Sequence, residues 1–391
     1  NIDNLAELPD VNIAALCDVD ERRAGGVRQR FPKARFAVDY RRLLDAGDID
    51  AVLVATPDHH HAPATLLALQ AGKHVYCEKP LTHTVDEARL VAATAARLKR
   101  ATQMGTQIHS RSNYRRVVEI IRGGVIGTVG EVHVWVDRQW GGQETPRRKD
   151  PVPEGLHWDL WIGPAPLRDY VDKVYTPSEW RGWWDFGGGT LGDMGCHYMD
   201  LPFWALGIRH PRRVAAEGPP VHPDSCPPWL IVSYEYPAAQ GRPAISLTWY
   251  HGGKRPRRLT DPAEFGLDKR DFHDMDRGDG VMFVGSKGVL LANYDRYALL
   301  PGADFKDFKP PRPWIPPSPG HHREWVDACK GGPAALCHFG YAGLLTEAVL
   351  LGNVAYRVGK PIEWDHENLK AVNAPDADRF IRHEYRKEWK L

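Results

Sequence analysis

The first hundred residues alternate short apolar runs with amphipathic stretches, and that alternation narrows the fold more than any other feature. Val11 to Cys17 reads as a buried strand ending in Asp18, Glu21 to Phe31 as a helix and Ala34 to Val38 as a short strand. Ile49 to Ala55 is a second apolar run, closed by Thr56-Pro57-Asp58. A helix with Leu66, Leu67 and Leu69 on its apolar side stops at Gly72, and His74 to Cys77 is the next strand. Thr84-Val85-Asp86-Glu87 has the form of a capping box, after which Leu90, Val91, Ala95 and Leu98 recur at helical spacing. Ala101 to Gly105 is a further strand and Arg111 to Arg122 a further helix. Strands that are apolar throughout and separated by helices belong to a parallel sheet covered on both faces. The expected fold is α/β, with a doubly wound N-terminal sheet.

A Rossmann-type sheet that binds a dinucleotide opens with a strand, a GxGxxG turn and a helix, with an acidic residue about 20 positions later. Asp18 stands where that acidic residue belongs, but only Ile2 to Leu8 precedes the strand, and it reads as the tail of the first helix. The strand order makes the missing strand central, so the strands at Val11 and Ile49 would have unpaired interior edges. The natural protein is therefore expected to carry that strand and its glycine turn ahead of Asn1.

After Gly123-Gly124 the pattern changes. Val132, Val134 and Val136 alternate with His133, Trp135 and Asp137, as in a half-exposed strand. Further strands are expected at Arg213 to Ala216, Trp229 to Tyr236, Ala244 to Tyr250, Val281 to Gly285 and Val289 to Ala292. They read as an open, mostly antiparallel sheet interrupted by proline-rich loops at 145–185, 217–228 and 300–319. Helices return at Glu324 to Cys329 and Tyr341 to Val358. A chain of 391 residues is expected to hold two domains. The division is 1–122, completed by C-terminal helices within 331–391, and 123–330. An open antiparallel sheet needs one face covered, so a homo-oligomer (dimer or tetramer) through the second-domain sheet is expected.

Lys+Arg 51 against Asp+Glu 50 leaves no net charge with which to hold nucleic acid or an anionic membrane. The basic run Lys254 to Arg258 is broken by Pro256 and reads as solvated surface or an oligomer contact. No apolar run approaches the ~20 residues of a membrane helix. Six cysteines without a CxxC pair argue for a reducing, cytoplasmic compartment, with an export signal ahead of Asn1 left open. His59-His60-His61 invites a metal reading, but consecutive side chains diverge and no partner is placed by sequence, so no metal is expected.

The candidate site is Gly187 to Asp200. Three glycines lead into a segment read as helical from about Thr190, which puts Asp193 and His197 four residues apart on one face, with Asp200 a turn further on. A carboxylate beside an imidazole is a plausible general base, because the histidine titrates near neutral pH and the carboxylate can fix its tautomer. The plainer alternative is a histidine that only caps or fills a packed helix.

Together, Cys77-Glu78-Lys79-Pro80 after a parallel strand, Asp193-x-x-x-His197 in the second domain and Thr56-Pro57-Asp58-His59 ahead of both give a chain that resembles the Gfo/Idh/MocA oxidoreductases. Trp158 to Pro166 is similar to a stretch of one bacterial subgroup. The resemblance implies a catalytic group of Lys79, Asp193 and His197, with His197 the base, Asp193 its orienter and Lys79 an electrostatic anchor. It implies NAD bound through Asp18, Thr56, Pro57, His59, Glu78 and Lys79, while Arg22 and Arg23 keep NADP open. Aromatic faces stack on pyranose rings, so Trp180, Arg181 and Trp183, with Asp200, are the candidate substrate wall; an aromatic core under a long loop is the alternative. The implied activity is oxidation of a secondary hydroxyl on a sugar, sugar derivative or polyol. Glycoside cleavage through transient oxidation, and a non-catalytic sugar or dinucleotide sensor, are the competing readings.

Overall fold

The computed structural model of the chain describes residues 1–239 and 241–390. Its first unit runs α1 (Ile2–Ala6), β1 (Ala15–Cys17), α2 (Glu21–Arg30), β2 (Arg35–Ala37), α3 (Arg41–Leu44), β3 (Ala51–Val54), α4 (His61–Gln70), β4 (His74–Cys77), α5 (Val85–Leu98), β5 (Thr102–Met104) and α6 (Ser112–Arg122). Each segment read from periodicity is present within a few residues. α5 begins at a true capping box: Thr84 accepts from the Glu87 amide, and the Glu87 carboxylate accepts from the Thr84 amide at 2.9 Å. The parallel sheet is in two pieces, β1 beside β2 and β3-β4-β5. Among the described residues nothing pairs with the free edges of β1 and β3, and both strands are only half-buried while β4 and β5 are nearly enclosed.

The second unit continues with β6 (Val129–Val136), α7 (Trp158–Ile162), α8 (Gly189–Tyr198), α9 (Asp200–Leu206), β7 (Arg213–Glu217), β8 (Leu230–Tyr236), β9 (Ile245–His251), α10 (Arg257–Thr260), β10 (Gly280–Gly285), β11 (Gly288–Ala292) and β12 (Tyr297–Leu300). The chain closes with α11 (His321–Cys329), α12 (Phe339–Val358), β13 (Ile362–Asp365), β14 (Lys370–Ala371) and α13 (Asp378–Ile381). The strands form one nine-stranded sheet in the order β12-β11-β10-β6-β9-β8-β7-β13-β14, antiparallel except for the parallel pair β6 and β9.

Three strands go beyond the sequence reading. β12 precedes the loop read from residue 300, and β13 and β14 lie in the stretch expected to complete the first domain. α12 packs on α5, while Ile362 pairs with Val214 and so extends the second-domain sheet. The signal is short: Ile362 and Trp364 are buried while Glu363 and Asp365 between them are half-buried.

The sheet's inner face packs on α8, α9 and α12. α8 lies close against α12 because residue 195 is glycine: a Cβ there would stand 2.7 Å from Val349 Cγ1. The outer face is partly covered by the chain itself. Met282, Val289 and Leu291 alternate with inward-facing residues and pack under Leu259, Leu267, Phe272 and Met275. The basic run lies in this cover: Arg258 pairs with Glu131, and Arg255 with Asp137. Beside it the outward residues of β8 and β9, among them Ser233, Glu235, Ser246 and Thr248, are polar and half-buried to exposed.

Candidate active site

Gly189 has φ +63°, and a Cβ there would meet Cys226 Cβ at 2.7 Å, so the turn into α8 needs glycine. α8 then carries Asp193 into a ring of donors. Lys79, at the end of β4, donates from Nζ to Asp193 Oδ1 at 2.6 Å and to the Asp193 carbonyl at 2.8 Å. Arg181 Nε donates to the same carboxylate oxygen at 3.0 Å, and Trp140 Nε1 to the other at 2.8 Å. Burial alone would raise the Asp193 pKa; Lys79 and Arg181 outweigh it and hold the carboxyl at about 2.

His197 lies one turn on, but Asp193 does not orient it. Lys79, Arg181 and Trp140 already occupy both carboxylate oxygens, and the His197 ring makes no hydrogen bond among the described residues. Its Nδ1 is buried without a partner, and the Tyr294 ring stands edge-on at 6.2 Å. Burial, and then the Lys79 charge, push the imidazole down to about 3, so it is neutral at neutral pH.

Asp58, to which sequence reasoning gave no role although it lies in the Thr56-Pro57-Asp58-His59 motif, is 2% exposed. Burial pushes its carboxyl up to about 8, with the Asp193 charge adding and Lys79 and Arg181 opposing. Two carboxyls of one site are thus driven apart, one held ionised and one held protonated, a pattern that sorts acid from base in catalytic sites.

The remaining candidates divide. Arg181, its guanidinium lying 4.3 Å from the centre of the Trp180 ring, which is buried in the aromatic core, and 5.5 Å from that of Trp140, belongs to the site. Trp183 does not: it is 1% exposed, its Nε1 donates to the Val174 carbonyl at 2.9 Å, and it belongs to an aromatic core with Trp161, Tyr175 and Phe186. Asp200 is not a substrate residue either. It is fully buried, facing His109 Nδ1 at 2.9 Å and accepting from Tyr341 Oη at 2.6 Å, because the turn after His197 carries it into the interface between units. His59 is also turned inward, its ring nitrogens 3.3 Å from the Phe186 carbonyl and 3.0 Å from that of Trp161, and it joins the units instead of facing a ligand.

The strand ends suit the two ends of a dinucleotide. Asp18, half-buried, closes β1 and keeps one oxygen on the Asp20 amide at 2.9 Å. Arg22 is held on both oxygens of Asp20, which occupies one of the two arginines that left NADP open. At the other end Thr56 Oγ1 is buried without a partner beside Pro57, and Glu78 accepts from Asn1 Nδ2 at 2.6 Å. A glycine-rich phosphate turn is not among the residues of this chain.

Strand ends of this kind, facing a second domain built on one broad sheet, define an NAD-binding oxidoreductase architecture. Residues 2–106 match the family model described as "Oxidoreductase family, NAD-binding Rossmann fold", and residues 119–244 that described as "Oxidoreductase family, C-terminal alpha/beta domain". The chain belongs to the Gfo/Idh/MocA oxidoreductase family. It is 38% identical over 117 residues to inositol 2-dehydrogenase 3 of Saccharopolyspora erythraea, covering 30% of this chain and 34% of that one. It is 29% identical over 155 residues to alpha-N-acetylgalactosaminidase of Shewanella oneidensis, covering 37% and 34%. The match thus spans about a third of the length of each of these relatives. The WlbA dehydrogenase of Bordetella pertussis, solved in complex with NADH and UDP-GlcNAcA, superposes with a TM-score of 0.61 at 18% identity, covering 90% of each chain. That likeness concerns the fold.

Proposed function

We propose that the protein oxidises a secondary hydroxyl of a sugar, sugar derivative or polyol, with Lys79, Asp193 and His197 as its catalytic group. The observation that carries this is the Lys79–Asp193 pair, 2.6 Å apart and flanked by Arg181 and Trp140, with the unpartnered His197 one turn away. NAD, when bound, would supply the acceptor for a hydride from the carbinol carbon. Lys79 places a cation where alkoxide charge develops, and Asp193 holds that cation still. His197, neutral and without a hydrogen-bond partner, takes the hydroxyl proton. Trp140, half-buried beside Arg181, offers a face on which a pyranose ring stacks.

The relative named an inositol dehydrogenase supports the polyol reading. The relative named a galactosaminidase supports a second one, in which the same residues serve a transient oxidation followed by elimination of a glycosidic substituent. Net NADH formation separates the two. We further propose a homo-oligomer through the second-domain sheet, using the strip of β8 and β9 beside the 257–279 cover; the solution mass decides it.

The test of the catalytic assignment is His197→Ala. Turnover should fall by roughly 10²–10⁴-fold with NAD affinity kept. Turnover at the wild-type rate would sink the role given to His197.

A further inference from the structure

A second cationic cavity, of about 150 Å³, lies between the start of α5, the glycine turn into α8, and the ends of α12 and α13. Lys79, Arg181, Trp140, Asp193 and His197 do not line it. Its walls include Arg357, Arg379, His83 and His383. The Arg357 guanidinium is held between the Trp184 ring, 4.8 Å away, and the Phe380 ring, 4.1 Å away. It makes no hydrogen bond or ion pair with any described residue, which is unusual for a side chain with five donors and a permanent charge. Arg379 rests 4.6 Å from the other side of Phe380 and is likewise without an acceptor among the described residues. The ring of His383 lies 6.1 Å from that of His83, and its Nε2 is buried without a partner.

The neighbouring charges offset these cations only in part. Asp185 also lines the cavity and attracts Arg357 and His383, although its carboxylate is held by Arg168, which it shares with Asp224. Arg382 is occupied by Asp378 and, at 3.7 Å, by Asp86. What remains is a pocket with two guanidinium groups that have no acceptor among the described residues, Arg357 half-buried in its aromatic clamp and Arg379 exposed at the rim. A clamped guanidinium with its donors free is poised to bind an oxyanion through charge-assisted hydrogen bonds. Donors arrive from the Arg357 side, the Arg379 side and the histidine side. A phosphate group, with three or four acceptor oxygens and a higher charge than a carboxylate, can meet several of these donors at once.

We propose that this cavity is a phosphate site, taking inorganic phosphate or the phosphate group of a small monoester, with Arg357 as its principal ligand. It is separate from the oxidoreductase centre, although Gly187 and Gly188 form one of its walls and lead into the helix that carries Asp193.

The test is calorimetric titration and thermal unfolding of the whole protein with inorganic phosphate and, separately, glycerol phosphate, against sodium chloride at equal ionic strength. Saturable binding of either phosphate, with a raised unfolding temperature, is the expected result. Arg357→Met, which keeps an unbranched stem between the two rings, should weaken binding roughly tenfold or more, the scale of a lost charge-assisted contact. Should that variant fail to fold, the exposed Arg379→Gln should weaken binding several-fold with the fold intact. No saturable response beyond that to chloride would overturn the proposal. So would undiminished binding by the folded variants.

Discussion

Lowering the pH from 7 to 5 should destabilise the protein through two buried histidines whose hydrogen bonds require the neutral ring. His60 is 4% exposed, with Nε2 3.0 Å from the Trp161 carbonyl and Nδ1 3.4 Å from Tyr40 Oη. His251 is 1% exposed and its Nδ1 accepts from Trp249 Nε1 at 2.9 Å. In each ring one nitrogen is an acceptor, so a proton added there breaks a bond and buries a charge. Burial pushes both imidazoles down to about 4, against 6.5 in the unfolded chain. The sign follows from linkage. The unfolded state takes up protons below 6.5 while the folded state does not until about 4, so stability is complete above 6.5 and lost as the pH falls toward 4. Between pH 7 and 5 each ring contributes a loss of roughly 2 kcal/mol. Asp58 works the other way. Its folded pKa of about 8 means that the folded state gains stability by holding a proton over the same interval, by roughly 2.5 kcal/mol. The two histidines together outweigh it, and His83, His197 and His321, which burial pushes down to about 3, add to the loss. His59 and His61 are left out of the balance because each ring faces two carbonyl oxygens, an arrangement that a second N–H would satisfy. The assay is urea unfolding followed by tryptophan fluorescence at pH 7, 6 and 5 and constant ionic strength. The pH 7-to-5 loss should shrink by roughly 2 kcal/mol in His60→Gln and again in His251→Gln. Variants that keep the full pH dependence would refute the reasoning.

Two further outcomes follow from the same geometry. Because His197 is held near 3, kcat/KM should show no acid limb at the ordinary histidine value of 6.5; a limb there that disappears in His197→Gln would contradict the burial described for it. Gly195→Ala places a Cβ against Val349 on α12 and should lower stability by about 1–3 kcal/mol with the fold kept, measured by thermal unfolding; an unchanged unfolding temperature would show that the helices part freely.

Much of the fold was legible because its signals are local. The Thr84–Glu87 box, the apolar runs at Ala51–Val54 and His74–Cys77, and the Asp193–His197 spacing need only neighbours in sequence. What could not be read depends on partners far along the chain. β13 is a strand because β7 lies beside it, and the four residues after Pro361 give no hint of that neighbour. Asp193 and His197 do share a helix face, but whether they bond depends on Lys79, 114 positions away, taking the carboxylate first. Asp200 and Trp183 carry the right side chains for a sugar site and are buried by packing that the sequence does not display. Asp58 was visible as a residue, but its role depends on complete burial beside a second carboxyl.

The central claim is that hydride leaves a sugar or polyol carbon at the Lys79–Asp193 cluster. It is tested most directly by incubating the protein with NAD and a panel of carbon-deuterated sugars and polyols, and reading deuterium on the nicotinamide by mass spectrometry. The account predicts transfer by the wild-type protein from at least one member of the panel, and loss of that transfer in Lys79→Met. Transfer undiminished in Lys79→Met, or no transfer from any member by protein shown to bind NAD, would contradict it.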